Sequence, residues 1–121
     1  MKARKLFGVA TAVVFLSGAA SAGQFQDGVI AAKAHDYSTA MTDWQPLAKA
    51  GDTRAQTMLG FMYLLGWGVP VNLVESYMWF ALGAVGGSPE AAHYRDKVAS
   101  QMTQAQIAKA QHWADQFKAT P

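Results

Sequence analysis

The chain has 121 residues, 51% of them apolar, with ten basic and eight acidic side chains and no cysteine. Without cysteine there are no disulfides, thiolate metal sites, cysteine nucleophile or lipid-bearing cysteine. The length suffices for one modest core, which packing alone must hold together.

The opening "MKARKLFGVATAVVFLSGAASAGQ" has a basic start (Lys2, Arg4, Lys5), an apolar stretch from Leu6 to Leu16 and a small-residue end, Ala20-Ser21-Ala22. That order predicts a secretory signal peptide over residues 1–22, cut before Gly23. The apolar stretch is shorter than the roughly 20 residues a membrane-spanning helix needs. Cleavage would leave seven basic residues against eight acidic ones, a formal charge of −1. The basic footprint of a nucleic-acid binder is therefore not expected in the mature chain. The expected address is the bacterial periplasm or the exterior, with no stable membrane span after cleavage.

Residues 23–121 are predicted to form one all-α domain of about six helices, over 24–34, 37–50, 53–65, 73–86, 89–101 and 104–118. In "TRAQTMLGFMYLL", Ala55, Met58, Leu59 and Met62 fall at i, i+3, i+4, i+7, the stripe of a helix face. The run ends at "GWGVP": Gly66 and Gly68 permit a turn closed to other residues, and Pro70 stops the helix from continuing. Residues 64–72 thus read as the elbow of a helical hairpin, with Trp67 partly folded back on the core. "NLVE" then offers Asn72 as N-cap and Glu75 three residues on, like a capping box. Gly86-Gly87 ends that helix, and "SPEA" opens the next with Ser88 as cap and Pro89 at N1. "TQAQ" from Thr103 is again a capping-box spacing, with Ile107, Ala110, Ala114 and Phe117 on one face beyond it.

At an offset of 36, similar residues meet: Asp36 with Asn72, Ala40 with Ser76, Trp44 with Phe80, Ala48 with Ala84, Gly51 with Gly87, Asp52 with Ser88 and Ala55 with Ala91. A fixed period of this size is the mark of stacked supersecondary units. The stacking expected is an incomplete first repeat over 24–51, a full repeat over 52–87 and a capping helix pair over 88–119. Gly60 stands inside a helix at a cost of up to about 1 kcal/mol relative to alanine, so close approach of the neighbouring helix should compensate.

Residues 52–87 resemble the Sel1-like repeat family, relatives of the tetratricopeptide repeats, through "GDTRAQ", Leu59-Gly60, Tyr63, "GWGV" and "ESYMWFALGAVGG" in order. Residues 37–51 resemble the second half of a preceding repeat, and the pattern stops after Ala92. The resemblance implies an α/α superhelix of antiparallel helix pairs that binds other proteins or peptides. Some secreted relatives bind or hydrolyse β-lactams, but those are disulfide-rich and this chain is not.

No catalytic constellation emerges from the residue spacing. His35, His93 and His112 share no i, i+4 spacing, and no serine sits in a nucleophile elbow. No metal or cofactor is expected. Asp36 and Asp52 are explained as helix caps. The leading expectation is a non-enzymatic module that binds a protein or peptide partner, through surface positions the repeat does not demand: Arg54, Thr57, Met58, Phe61 and Trp67. The competing expectation is a binder or weak hydrolase of cell-wall ligands such as peptidoglycan or β-lactams. End-to-end self-association is a third, because solenoid ends are natural docking faces.

Overall fold

The computed structural model describes residues 23–119, so the expected signal peptide lies outside the described residues. Within them the chain is all-α, with six helices and no strand. They are α1 (23–33), α2 (Tyr37–Lys49), α3 (Thr53–Leu65), α4 (Leu73–Val85), α5 (Pro89–Ala99) and α6 (Gln104–Ala119). Successive helices pack together from α2 to α5, and α4 also packs on α6. The result is a superhelical stack of helix pairs.

The caps do what their side chains predict. Asp36 accepts from Thr39 N, Asn72 from Glu75 N and Ser88 from Ala91 N, each supplying an orphan amide at a helix start. Thr103 and Gln106 form the full reciprocal box, at 2.9 and 3.1 Å. The box expected at Asn72 and Glu75 is only half formed. Asn72 N donates instead to Tyr63 O at 2.9 Å, which ties the far end of the elbow back to α3. In α2, Pro46 lies within the helix, one turn from its end, where the missing N–H interrupts the ladder only once.

The 36-residue offset has a structural meaning. Asp36 and Asn72 are both N-caps, as are Asp52 and Ser88. Ala40, Ser76, Trp44, Phe80, Ala55 and Ala91 are all fully buried. Gly51 and Gly87 have φ of 99° and 102°, a backbone only glycine adopts without strain.

A second correspondence runs at an offset of 32. A Cβ on Gly28 would collide with the indole of Trp44, as one on Gly60 would lie 2.5 Å from the Phe80 ring. In each pair the glycine of the first helix receives the large buried ring of the second, so the two axes approach closely. The offsets differ by four because residues 34–36 join α1 to α2 whereas residues 66–72 join α3 to α4. Trp44 also donates its indole N–H to Phe25 O at 3.0 Å, and Ser76 donates its hydroxyl to Gly60 O at 2.8 Å. Both bonds run between the two helices of one pair and satisfy buried polar atoms.

Helix α4 is central, as its nearly continuous apolar sequence predicts. It buries Ser76 through Phe80, Leu82 and Gly83 and lies between α3, α5 and α6. Two apolar clusters flank it. One joins Trp44, Leu59, Met62 and Trp79, and the other joins Tyr77, Phe80, Val98 and Ala110.

Candidate functional site

Three helices contribute to a groove of about 270 Å³: α1 through Phe25, α3 through Thr53, Arg54, Thr57 and Met58, and the start of α5 through Glu90, beside its cap Ser88. These are the first helices of the three pairs, so one side of the stack forms the groove.

Its most extensively partnered charged group is Arg54. The Asp52 carboxylate receives Arg54 Nε at 3.3 Å and Nη2 at 2.9 Å, and the guanidinium lies 4.2 Å above the Phe25 ring. Two partners thus fix a side chain that remains 59% exposed, and its rotamer entropy is already spent before any ligand arrives. Asp52 also accepts from the backbone N–H groups of Arg54 and Ala55, so one carboxylate caps α3 and orients the cation. Burial works to raise the Asp52 carboxyl. The Arg54 guanidinium and the two amides outweigh it and hold the group below its ordinary value.

Met58 and Phe25 supply the apolar part of the groove, half-buried and adjustable. Thr57 lines it too but is almost wholly buried. Its hydroxyl donates to Thr53 O at 2.9 Å, and it abuts Gly83, where a Cβ would stand 2.9 Å from Thr57 Oγ1. Glu90 is exposed in the first turn of α5 and forms no ion pair among the described residues.

The five positions singled out from sequence therefore divide. Arg54, Thr57 and Met58 meet at the groove. Phe61 points into the second apolar cluster, edge-on to Phe80 at 5.0 Å and to Tyr94 at 4.7 Å. Trp67 is half-buried and stacks on Tyr37, with ring centroids 5.2 Å apart and planes 5° from parallel. Gly68 makes that stack possible, since a Cβ there would stand 2.8 Å from the Tyr37 Cβ. Phe25, Thr53, Ser88 and Glu90 were not singled out. No spacing signal relates them, because they come from distant segments that meet only in the folded groove.

One carboxylate elsewhere is unusual. Glu75, near the elbow, is raised above its ordinary value by burial, against the opposing hydrogen bond from Trp79. Burial also raises the Tyr63 phenol, with the nearby Glu75 charge adding to it. Among the described residues there is no cluster of three His, Cys, Asp or Glu able to hold a metal ion, and no helix long and apolar enough to cross a membrane.

Comparison of the chain with protein-family models, with curated proteins and with solved structures found no match in any of the three.

Proposed function

We propose that the protein is a small exported binding module of Sel1-like type that takes a peptide or an exposed protein segment into the groove between α1, α3 and the start of α5. The single observation carrying this reading is the pre-set Arg54, held by Asp52 and Phe25 beside the apolar Met58 and Glu90, which has no ion-pair partner among the described residues. Such a site suits a segment presenting a carboxylate or carbonyl oxygen to Arg54, one apolar side chain to Phe25 and Met58 and a lysine or arginine to Glu90. Backbone groups of the same segment would meet Thr53 and Ser88 at the rim. Ordering these groups in advance lowers the entropic cost of association. Export rests on the basic, apolar and A-x-A order of residues 1–22.

The test is selection from a random displayed peptide library on the immobilised protein, repeated with the Met58→Lys and Glu90→Lys variants. Enriched peptides should pair an apolar residue with a nearby cation and lose about tenfold or more in affinity on each variant. Peptides that bind both variants as tightly as the parent, or no enrichment at all, would refute the groove as the site.

A further inference from the structure

A second concavity, of about 160 Å³, lies away from the groove and is formed by α4, α5 and α6. Arg95 from α5 and Asp115 from α6 both line it, with Tyr77 and Leu82 from α4 and Gln111 from α6. Arg95 and Asp115 line one cavity without forming an ion pair with each other, so the cavity carries residues of opposite charge on two of its helices. Arg95 gives its Nε to Asp96 at 3.0 Å. Asp96 is 73% exposed, so solvent weakens its hold on the cation.

A buried phenol lines the same cavity. Gln111 Nε2 donates to the Tyr77 hydroxyl at 3.2 Å, and Tyr77 is only 7% exposed. Because that oxygen accepts from Gln111, its own O–H remains to donate to a further acceptor. An acceptor in the cavity would thus meet Tyr77 O–H and Arg95, a donor would meet Asp115, and an apolar substituent would meet Leu82.

We propose that this cavity binds a small zwitterion, a free α-amino acid of about the size of alanine. Its carboxylate would lie toward Arg95 and Tyr77, its ammonium toward Asp115 and its side chain against Leu82. The volume suits a small ligand: a closed cavity of about 150 Å³ accepts benzene, alanine has as many non-hydrogen atoms, and this concavity is open on one side. The charges set the class, because a ligand with one charge can meet only one of Arg95 and Asp115, whereas a zwitterion can meet both. This site is separate from the peptide groove and stands or falls independently of it.

The experiment is a titration of the isotope-labelled full chain with alanine, and in parallel with propionate and ethylamine, followed through the amide signals of Tyr77, Leu82 and Gln111. Alanine should shift these signals saturably, with a dissociation constant on the order of millimolar for so small a ligand. Propionate and ethylamine should bind about tenfold more weakly or worse. Arg95→Gln and Asp115→Asn should each weaken alanine by about the same factor while the helical spectrum and melting temperature stay as in the parent. Signals that do not saturate at tens of millimolar, or shifts of equal strength with the singly charged analogues, would overturn the proposal. Should one variant fail to fold, the ligand series on the parent protein decides alone.

Discussion

The Phe80 ring lies against Gly60 so closely that a Cβ at that glycine would stand 2.5 Å from the nearest ring atom. Helix propensity alone makes Gly60→Ala favourable by up to about 1 kcal/mol. The contact reverses that sign, because a fully buried Phe80 has nowhere to retreat. Gly60→Ala should therefore destabilise, and Gly60→Leu should cost about 3 kcal/mol or more, lowering Tm by about 4–8 °C per kcal/mol. A double-mutant cycle with Phe80→Leu is the check. The smaller partner should recover part of the Gly60→Ala loss, and simple additivity would contradict the contact.

The Asp52 carboxyl is held below its ordinary value, so the unfolded chain binds more protons in the window under pH 3.8. Its contribution is complete above that pH and is lost as pH falls through the lowered folded value. Asp52→Asn keeps a capping oxygen and should flatten this acid limb, whereas Asp52→Ala should cost about 1 kcal/mol at neutral pH as well. Urea unfolding of both variants between pH 2 and pH 7 makes the comparison, and an unchanged acid limb in Asp52→Asn would count against the assignment.

Glu75 has the opposite sign. Its folded value lies above the ordinary 4.5, so the folded chain binds more protons there, and stability declines as pH rises from 4.5 through the folded value. Glu75→Gln should remove that decline and raise stability at neutral pH by less than about 1 kcal/mol, because the half-exposed site is partly screened by solvent. A loss of neutral-pH stability in this variant would show that the charge helps the helix start more than burial penalises it.

Trp67 stacks on Tyr37, and Trp67 N donates to Met62 O at 2.9 Å. Trp67→Ala should cost about 1–2 kcal/mol. It should also speed hydrogen exchange at the Trp67 and Asn72 positions, whose amides close the elbow, more than in the middle of α4. Uniform acceleration across all helices would indicate global destabilisation instead.

Much of the fold was legible because caps and glycines act locally. Asp36, Asp52, Asn72 and Ser88 announce helix starts through their own short side chains, and the predicted ends fall within two residues of those observed. The offset of 36 was legible because Trp44 and Phe80 occupy like places. The Gly28 and Gly60 correspondence was not, because connections of unequal length shift it to 32. The groove was legible only in part. Arg54 and Met58 stand on one exposed helix face, but Phe25 and Glu90 join them from distant segments through packing alone. Phe61 and Trp67 look like recognition residues in sequence, and each spends its ring on another aromatic side chain.

The proposed export makes a direct demand on the chain's covalent structure. Intact-mass measurement of protein recovered from the periplasm of an expressing bacterium should give a polypeptide beginning at Gly23. A full-length mass in the cytoplasm would remove the support for export.

The central claim is that two successive helix pairs are built alike, each around a glycine that receives a buried ring. The most direct measurement is the nuclear Overhauser spectrum of the protein, read at the Gly28 and Gly60 α-protons. The account predicts strong cross-peaks from Gly28 to the Trp44 indole and from Gly60 to the Phe80 ring, both present in one spectrum. Finding either glycine remote from its ring would contradict it.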